Sequence, residues 1–165
     1  MQFLVYNGAM QTTAKPVAVT TGTSIKSMIQ IKPLVPLWVV EWGYAFDGSP
    51  SDISVELIET GTVFATVTAY AEADVTKLGN PADTGQAAIV MTLGTAASGF
   101  TSTAEGTITA VRNLDAPQVS STKLYQKQFP LGERPLIQVA NSGRIRVHAA
   151  AAVNMLAYMI LSTTR

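Results

Sequence analysis

The stretch that most constrains the fold is residues 143–161. Arg144, Arg146 and His148 alternate with Ile145, Val147 and Ala149, the period of a strand with one wet and one dry face. Past the alanines the wet face vanishes. Val153, Met155, Ala157, Met159 and Leu161 form one alternating set, and Leu156, Tyr158 and Ile160 form the other. A strand apolar on both faces needs two covers. A second sheet of the same chain supplies one, and the other must be a further layer or a neighbouring copy. Alanine, methionine and leucine are also good helix formers, and a buried helix is apolar all round. The alternation just before them favours a strand. Met155, Tyr158 and Ile160 are therefore the candidate residues of an interface between copies.

At 165 residues the chain has the size of one domain and can bury a real core; it reads as a single β unit over 1–165 with a long loop near 71–88. Cysteine is absent, which excludes disulfides, thiolate catalysis and cysteine-based metal sites. Charged residues make up 13%, about half the usual share. Such a surface is mostly hydroxyl, amide and methyl, and it implies either partial coverage by partners or a neutral, threonine-coated extracellular sandwich. The net charge of zero points neither to nucleic acid nor to membrane. Its distribution is uneven: residues 1–40 carry +3, residues 41–105 carry −8 and residues 106–165 carry +5. In a fold whose ends meet, such segregation steers copies or a partner into register, although folding commonly mixes it. Residues 1–6 are too few for the core of a secretory signal, and 149–161 too few to span a bilayer. A soluble, unprocessed protein is expected.

Along the chain, strands are expected at 2–6, closed by the turn dipeptide Asn7-Gly8, at 17–20 and at 25–31. Pro33 and Pro36 then exclude a central strand or helix. Residues 37–46 make the strongest strand, with Trp38, Val40, Trp42, Tyr44 and Phe46 on one core-facing side and Gly43 marking a bulge or a close backbone approach. After a turn at Asp47-Gly48-Ser49-Pro50, residues 53–59 alternate again and pair plausibly with 37–46 in a hairpin. Residues 62–70 continue in β-branched residues. Residues 89–93 form a short apolar run, 94–99 a flexible link, and 107–112, 123–129 and 136–140 complete the strands. With Gly, Pro, Asn and Ser turns between them and no convincing amphipathic helix, these segments indicate an all-β antiparallel sandwich or barrel.

Chemistry is sparse. One histidine and no cysteine leave little for zinc, and His148 reads as a polar strand position. Asp47 and Asp52 bracket a turn where calcium is conceivable, but the spacing matches no EF-hand and turn aspartates usually cap backbone amides. Glu56 with Glu59, and Glu72 with Asp74, are paired carboxylates best read as solvated. No nucleophile elbow, P-loop or dinucleotide fingerprint occurs. Arg144 and Arg146 make too small a footprint for phosphate and read as a solvated or subunit-facing pair. Trp38 and Trp42 form a carbohydrate platform only if they face outward. No cofactor is expected, and no enzyme.

The runs Val40-Glu41-Trp42-Gly43-Tyr44-Ala45-Phe46-Asp47-Gly48, Lys127-Gln128-Phe129-Pro130-Leu131-Gly132-Glu133 and Gly143-Arg144-Ile145-Arg146-Val147 resemble the capsid decoration, or cement, proteins of tailed bacteriophages. The likeness covers most of the chain through structural patterns. It implies a jelly-roll-like β-sandwich, commonly a homotrimer, on the outer surface of an icosahedral virion, with the major capsid protein as partner and no active site. The other expectation is a carbohydrate- or receptor-binding sandwich of a phage fibre or tail, with Trp38 or Trp42 exposed beside the 71–88 loop. A hydrolase stands third, lacking a visible acid–base constellation.

Overall fold

The computed structural model describes residues 1–11, 15–49, 53–79, 86–108, 111–117 and 124–165. Thirteen strands follow in chain order: β1 (Gln2–Tyr6), β2 (Val19–Thr20), β3 (Lys26–Ile31), β4 (Leu37–Phe46), β5 (Ile53–Thr60), β6 (Thr66–Ala69), β7 (Thr76–Leu78), β8 (Gly99–Ala104), β9 (Val111–Asp115), β10 (Tyr125–Gln128), β11 (Leu136–Ile137), β12 (Ser142–Ala149) and β13 (Asn154–Ser162). A 3-10 turn covers Glu72–Asp74, and a four-residue helix, α1, covers Ala87–Val90.

The strands form two antiparallel sheets. One runs β10-β4-β13-β1-β7, with β11 beside β4 and β2 beside β13; the other runs β6-β8-β3-β12-β5-β9. Within them, the orders β1-β13-β4-β10 and β3-β12-β5-β9 are those of a jelly roll, in which the first and last strands lie side by side. The chain between β5 and β9 adds β7 to one sheet and β8 and β6 to the other.

Between the sheets lies one apolar core. Phe3, Trp42, Met155, Met159 and Leu161 of the first sheet and Ile29, Ile31, Leu57, Ile145 and Val147 of the second are within 1% of full burial. Each such side chain contributes about 1.5–3 kcal/mol on leaving water. At the sandwich edge, Asp115 of β9 reaches over to the other sheet. It accepts hydrogen bonds from Trp42 Nε1 (3.1 Å) and the Tyr125 hydroxyl (2.6 Å) and pairs with Lys127 Nζ (3.1 Å). The Tyr44 and Tyr125 rings stack there at 5.3 Å, and burial first, then Asp115, pushes both phenols above their ordinary pKa.

Several expectations are corrected. Strands β4 and β5 do not pair: each finds its long-range partners, β13 and β10 for β4 and β12 and β9 for β5, in opposite sheets. Trp38 leaves the face of Trp42, because Ile160 pairs with Glu41 while Leu161 pairs with Val39. Val40 is thus an extra residue in β4, and one extra residue reverses every side chain beyond it. The strand from 62 begins only at Thr66, a strand missed by the sequence reading occupies Gly99–Ala104, and part of 89–93 is the helix α1. The region 71–88 is structured where described, by the 3-10 turn, β7 and the start of α1; Asn80-Pro81 and Asp83-Thr84-Gly85 lie outside the described residues.

Candidate docking surface

Each sheet has an outer face, and the two differ. On the β3-β12-β5 face, Arg144 is 0% exposed. Its guanidinium donates to the carbonyls of Val63 (2.5 Å) and Glu105 (3.2 Å) and to Ser142 Oγ (3.1 Å), and lies 3.6 Å from the Glu105 carboxylate. Burial lowers its pKa, with Glu105 pulling the other way. Beside it, buried Gln30 donates to the carbonyls of Ala65 (3.1 Å) and Ala97 (2.6 Å) and accepts from Ala65 N (2.8 Å). These bonds hold residues 61–65 across the face as a strap. From β5 to β6 is four strand spacings, about 19 Å, and the six peptide steps from Thr60 to Thr66 reach at most about 20–22 Å, so the strap is nearly taut.

Arg144 is therefore not solvated but bonded inside the chain, whereas Arg146 is partly exposed and pairs with Glu56. His148, farther along β12, is exposed.

The outer face of the other sheet is crossed by no such strap among the described residues, although Ala9, Gln11, Pro16 and Val17 lie alongside its Tyr6–Leu156 end. Leu4 and Tyr6 of β1, Ala45 of β4 and Leu156, Tyr158 and Ile160 of β13 point outward, all partly exposed. Registers align Leu4 with Ile160 and Tyr6 with Tyr158, so they form one stripe. Tyr158 lies over Gly43, where a Cβ would stand 2.7 Å from its ring. Gly43 thus serves close approach, while the bulge sits at Val40. The Tyr158 hydroxyl donates to Glu41 (2.6 Å), which also accepts from Gln126 (2.6 Å). Desolvation first, and then the bond to Glu41, raises the phenol pKa.

Of the three expected interface residues, Met155 is 0% exposed and bonded into the core face, because alternation turns it toward the second sheet. It is a core residue and cannot contact a neighbour. Tyr158 and Ile160 lie on the bare face.

One end of the sandwich extends this surface. Among the described residues nine large hydrophobic side chains stand exposed, and six of them, Met1, Leu34, Ile89, Val111, Leu131 and Val139, lie at the end formed by the β3–β4 connection, α1 and the β10–β12 loops. There an open groove of about 400 Å³ is lined by Met1, Val35, Pro36, Trp38, Ile89 and Thr163. Leu34 N and Val35 N both donate to the Val90 carbonyl, fastening α1 to the β3–β4 connection. Trp38, the residue misplaced by the sequence reading, joins groove to stripe through its pairing with Ser162 of β13.

The carboxylate pairs are structural. Asp74 accepts from Met10 N and Ala71 N, each at 2.8 Å, and Glu72 from Ala87 N and Ala88 N at 2.5 and 3.1 Å, so neither pair member is simply solvated. Glu59 holds Arg112, Gln138 N and Asn141. Asp47 is exposed and bonds Asn154; Asp52 lies outside the described residues. No group of three potential metal ligands, and no helix long and apolar enough to cross a membrane, occurs among the described residues. Among the described residues, three of the four ion pairs join an acid of residues 41–105 to a base of 106–165, so part of the linear charge segregation is paired within the chain. Compared with protein-family models, curated proteins and solved structures, the chain matches none.

Proposed function

We propose that this protein is a non-enzymatic structural component of a virion, a homotrimer that binds the outer surface of an icosahedral phage capsid through the major capsid protein and stabilises the assembled shell. The observation that carries this reading is the asymmetry of the two outer faces: the chain straps one closed with its own residues and leaves an apolar stripe and an apolar end on the other. The carboxylates that sequence reading paired are engaged with backbone amides or arginines, which supports a binding role over acid–base work. Jelly rolls host many functions, so the fold alone decides nothing. The mechanism is mass action: a protein that binds the lattice and not its loose subunits shifts the equilibrium toward lattice, and three linked copies raise effective concentration.

The test is light scattering behind size exclusion, followed by co-sedimentation with undecorated shells and their heat disruption. A trimer that saturates the shells and raises their disruption temperature is expected. A monomer that ignores them overturns the reading.

A carbohydrate- or receptor-binding sandwich is the second reading, favoured by the outward turn of Trp38 beside α1. Its groove offers one hydroxyl, on Thr163, already bonded to the Met1 backbone, and no amide, carboxylate or guanidinium side chain beside the Trp38 ring. Tryptophan fluorescence that shifts on titration with sugars would revive it.

A further inference from the structure

The Asn7-Gly8 pair that ends β1 does more than turn the chain. Asn7 is 0% exposed. Its backbone N–H donates to the Ala157 carbonyl (3.1 Å), but the return bond from Ala157 N goes to the side-chain Oδ1 (2.9 Å), while the Asn7 carbonyl accepts from Thr101 Oγ1 (3.2 Å). The side-chain Nδ2 donates to the Met155 carbonyl (2.8 Å). The amide thus stands in for a backbone position and lengthens the β1–β13 ladder by one residue. Gly8, by contrast, does not have a positive φ. A Cβ there would stand 3.9 Å from the Val17 carbonyl oxygen and 4.0 Å from Val19 Cγ2, ordinary contacts, so neither strain nor space requires glycine at this position.

An asparagine followed by glycine is open to deamidation, because no side chain on the next residue shields its backbone nitrogen. The Gly8 nitrogen attacks the Asn7 side-chain carbonyl carbon; a C–N bond forms, the bond to Nδ2 breaks, and Nδ2 leaves as ammonia with the proton that Gly8 gives up. Water then opens the cyclic imide at either carbonyl, leaving aspartate or isoaspartate. The other four asparagines, Asn80, Asn113, Asn141 and Asn154, precede Pro, Leu, Ser and Met.

We infer that Asn7 is a deamidation site that the β1–β13 pairing holds closed, and that its conversion, once the strands part, prevents them from closing again. The step needs the amide free to turn toward Gly8 N and Nδ2 free to leave, and both ends of the amide are bonded to β13. Two hydrogen bonds of ordinary net strength slow it about tenfold or more. After conversion to aspartate, position 7 has no donor for the Met155 carbonyl, since a carboxylate only accepts. The new charge is then buried against an oxygen, a costly arrangement without a cationic partner. The isoaspartate form adds an atom to the main chain where the ladder continues. The inference stands apart from capsid binding.

Native protein and protein held unfolded in urea are incubated side by side in mildly alkaline buffer, and peptide mapping by mass spectrometry follows ammonia loss at each asparagine. In urea, Asn7 is expected to convert fastest of the five. In the native protein it is expected to convert about tenfold more slowly, or slower still. When urea is removed from the aged sample, unconverted chains are expected to regain the native elution volume and unfolding midpoint, and converted chains to elute as unfolded species or unfold at a lower midpoint. Gly8→Ala, whose Cβ the fold accommodates, is expected to keep the native midpoint and to convert several-fold more slowly in urea. Equal rates at Asn7 in native and unfolded protein overturn the inference, as does an Asn7 no faster than the other asparagines in urea. Converted chains that refold with the native midpoint overturn it too. A Gly8→Ala chain that fails to fold, or that converts as fast as the parent, contradicts the role given to Gly8.

Discussion

The outer face over β12 and the outer face over β13 begin from similar strands and end differently. Both belong to central strands of a jelly roll, and both carry side chains that water alone does not suit: a guanidinium with its hydroxyl and amide neighbours on one, an apolar stripe on the other. The polar set is satisfied by the chain itself, because carbonyls of Val63, Ala65, Ala97 and Glu105 lie within hydrogen-bond reach of Arg144 and Gln30. Directional bonds of that kind need fixed partners, and a strap from the same chain supplies them at every concentration. The apolar set needs only area excluded from water, which a second molecule provides equally well. The lesson is that the face with directional demands is closed within the chain, while the face without them keeps its apolar stripe partly exposed.

Breaking the strapped face has the largest expected consequence. Arg144→Ala removes the donors to the Val63 and Glu105 carbonyls, a loss of about 1–3 kcal/mol for each carbonyl left unsatisfied, while the Glu105 carboxylate keeps its bonds from Ser27 and Ser102. Urea unfolding of the variant is expected to show that loss, and unchanged stability would mean that the strap is not fastened there.

A pair of substitutions on one strand sharpens the contrast between inner and outer sets. Met155→Ala opens a cavity in the core and costs about 2–5 kcal/mol, whereas Ile160→Ser, on the bare face, costs below about 1 kcal/mol of protomer stability and weakens association. Equal unfolding midpoints for the two would contradict the assignment of Met155 to the core. Gly43→Ala comes next: its Cβ would meet the Tyr125 carbonyl at 2.6 Å and the Tyr158 ring at 2.7 Å, an overpacking worth about 1–3 kcal/mol. Thermal unfolding measures it.

The smallest effect is in pH. Tyr44, Tyr70, Tyr125 and Tyr158 all have phenols raised chiefly by burial, so the folded chain keeps protons that the unfolded chain releases above about pH 10. Stability is therefore fully present below that pH and falls as pH rises through the alkaline range. Tyr158→Phe, which alone among them alters the bare face, is expected to remove only a minor part of the alkaline fall seen in unfolding midpoints between neutral pH and pH 11.

Local periodicity made much of this fold legible. The alternation in 143–149 and 153–161 reports the inward sets of β12 and β13 correctly, and 2–6 and 37–46 coincide with β1 and β4. What escaped is nonlocal. Arg144 reads as wet because nothing near it in sequence announces a strap eighty residues earlier. Trp38 reads as core because counting by twos fails beyond an inserted residue, and Val40 is as apolar as its neighbours. The hairpin between β4 and β5 fails because a short turn between strands is compatible both with pairing and with crossing to the opposite sheet; the choice is made by distant partners. Of the docking surface, Tyr158 and Ile160 were visible in the doubly apolar strand. The groove was not, since it assembles from both ends of the chain, the β3–β4 connection and α1.

Hydroxyl-radical footprinting of the protein diluted to free protomers against the trimer bound to shells tests the central claim most directly. The asymmetry of the two faces predicts that oxidation of Trp38, Tyr158 and Leu131 falls on assembly, while His148 on the strapped sheet stays as reactive as before. Protection of His148 with Trp38, Tyr158 and Leu131 unchanged would contradict it.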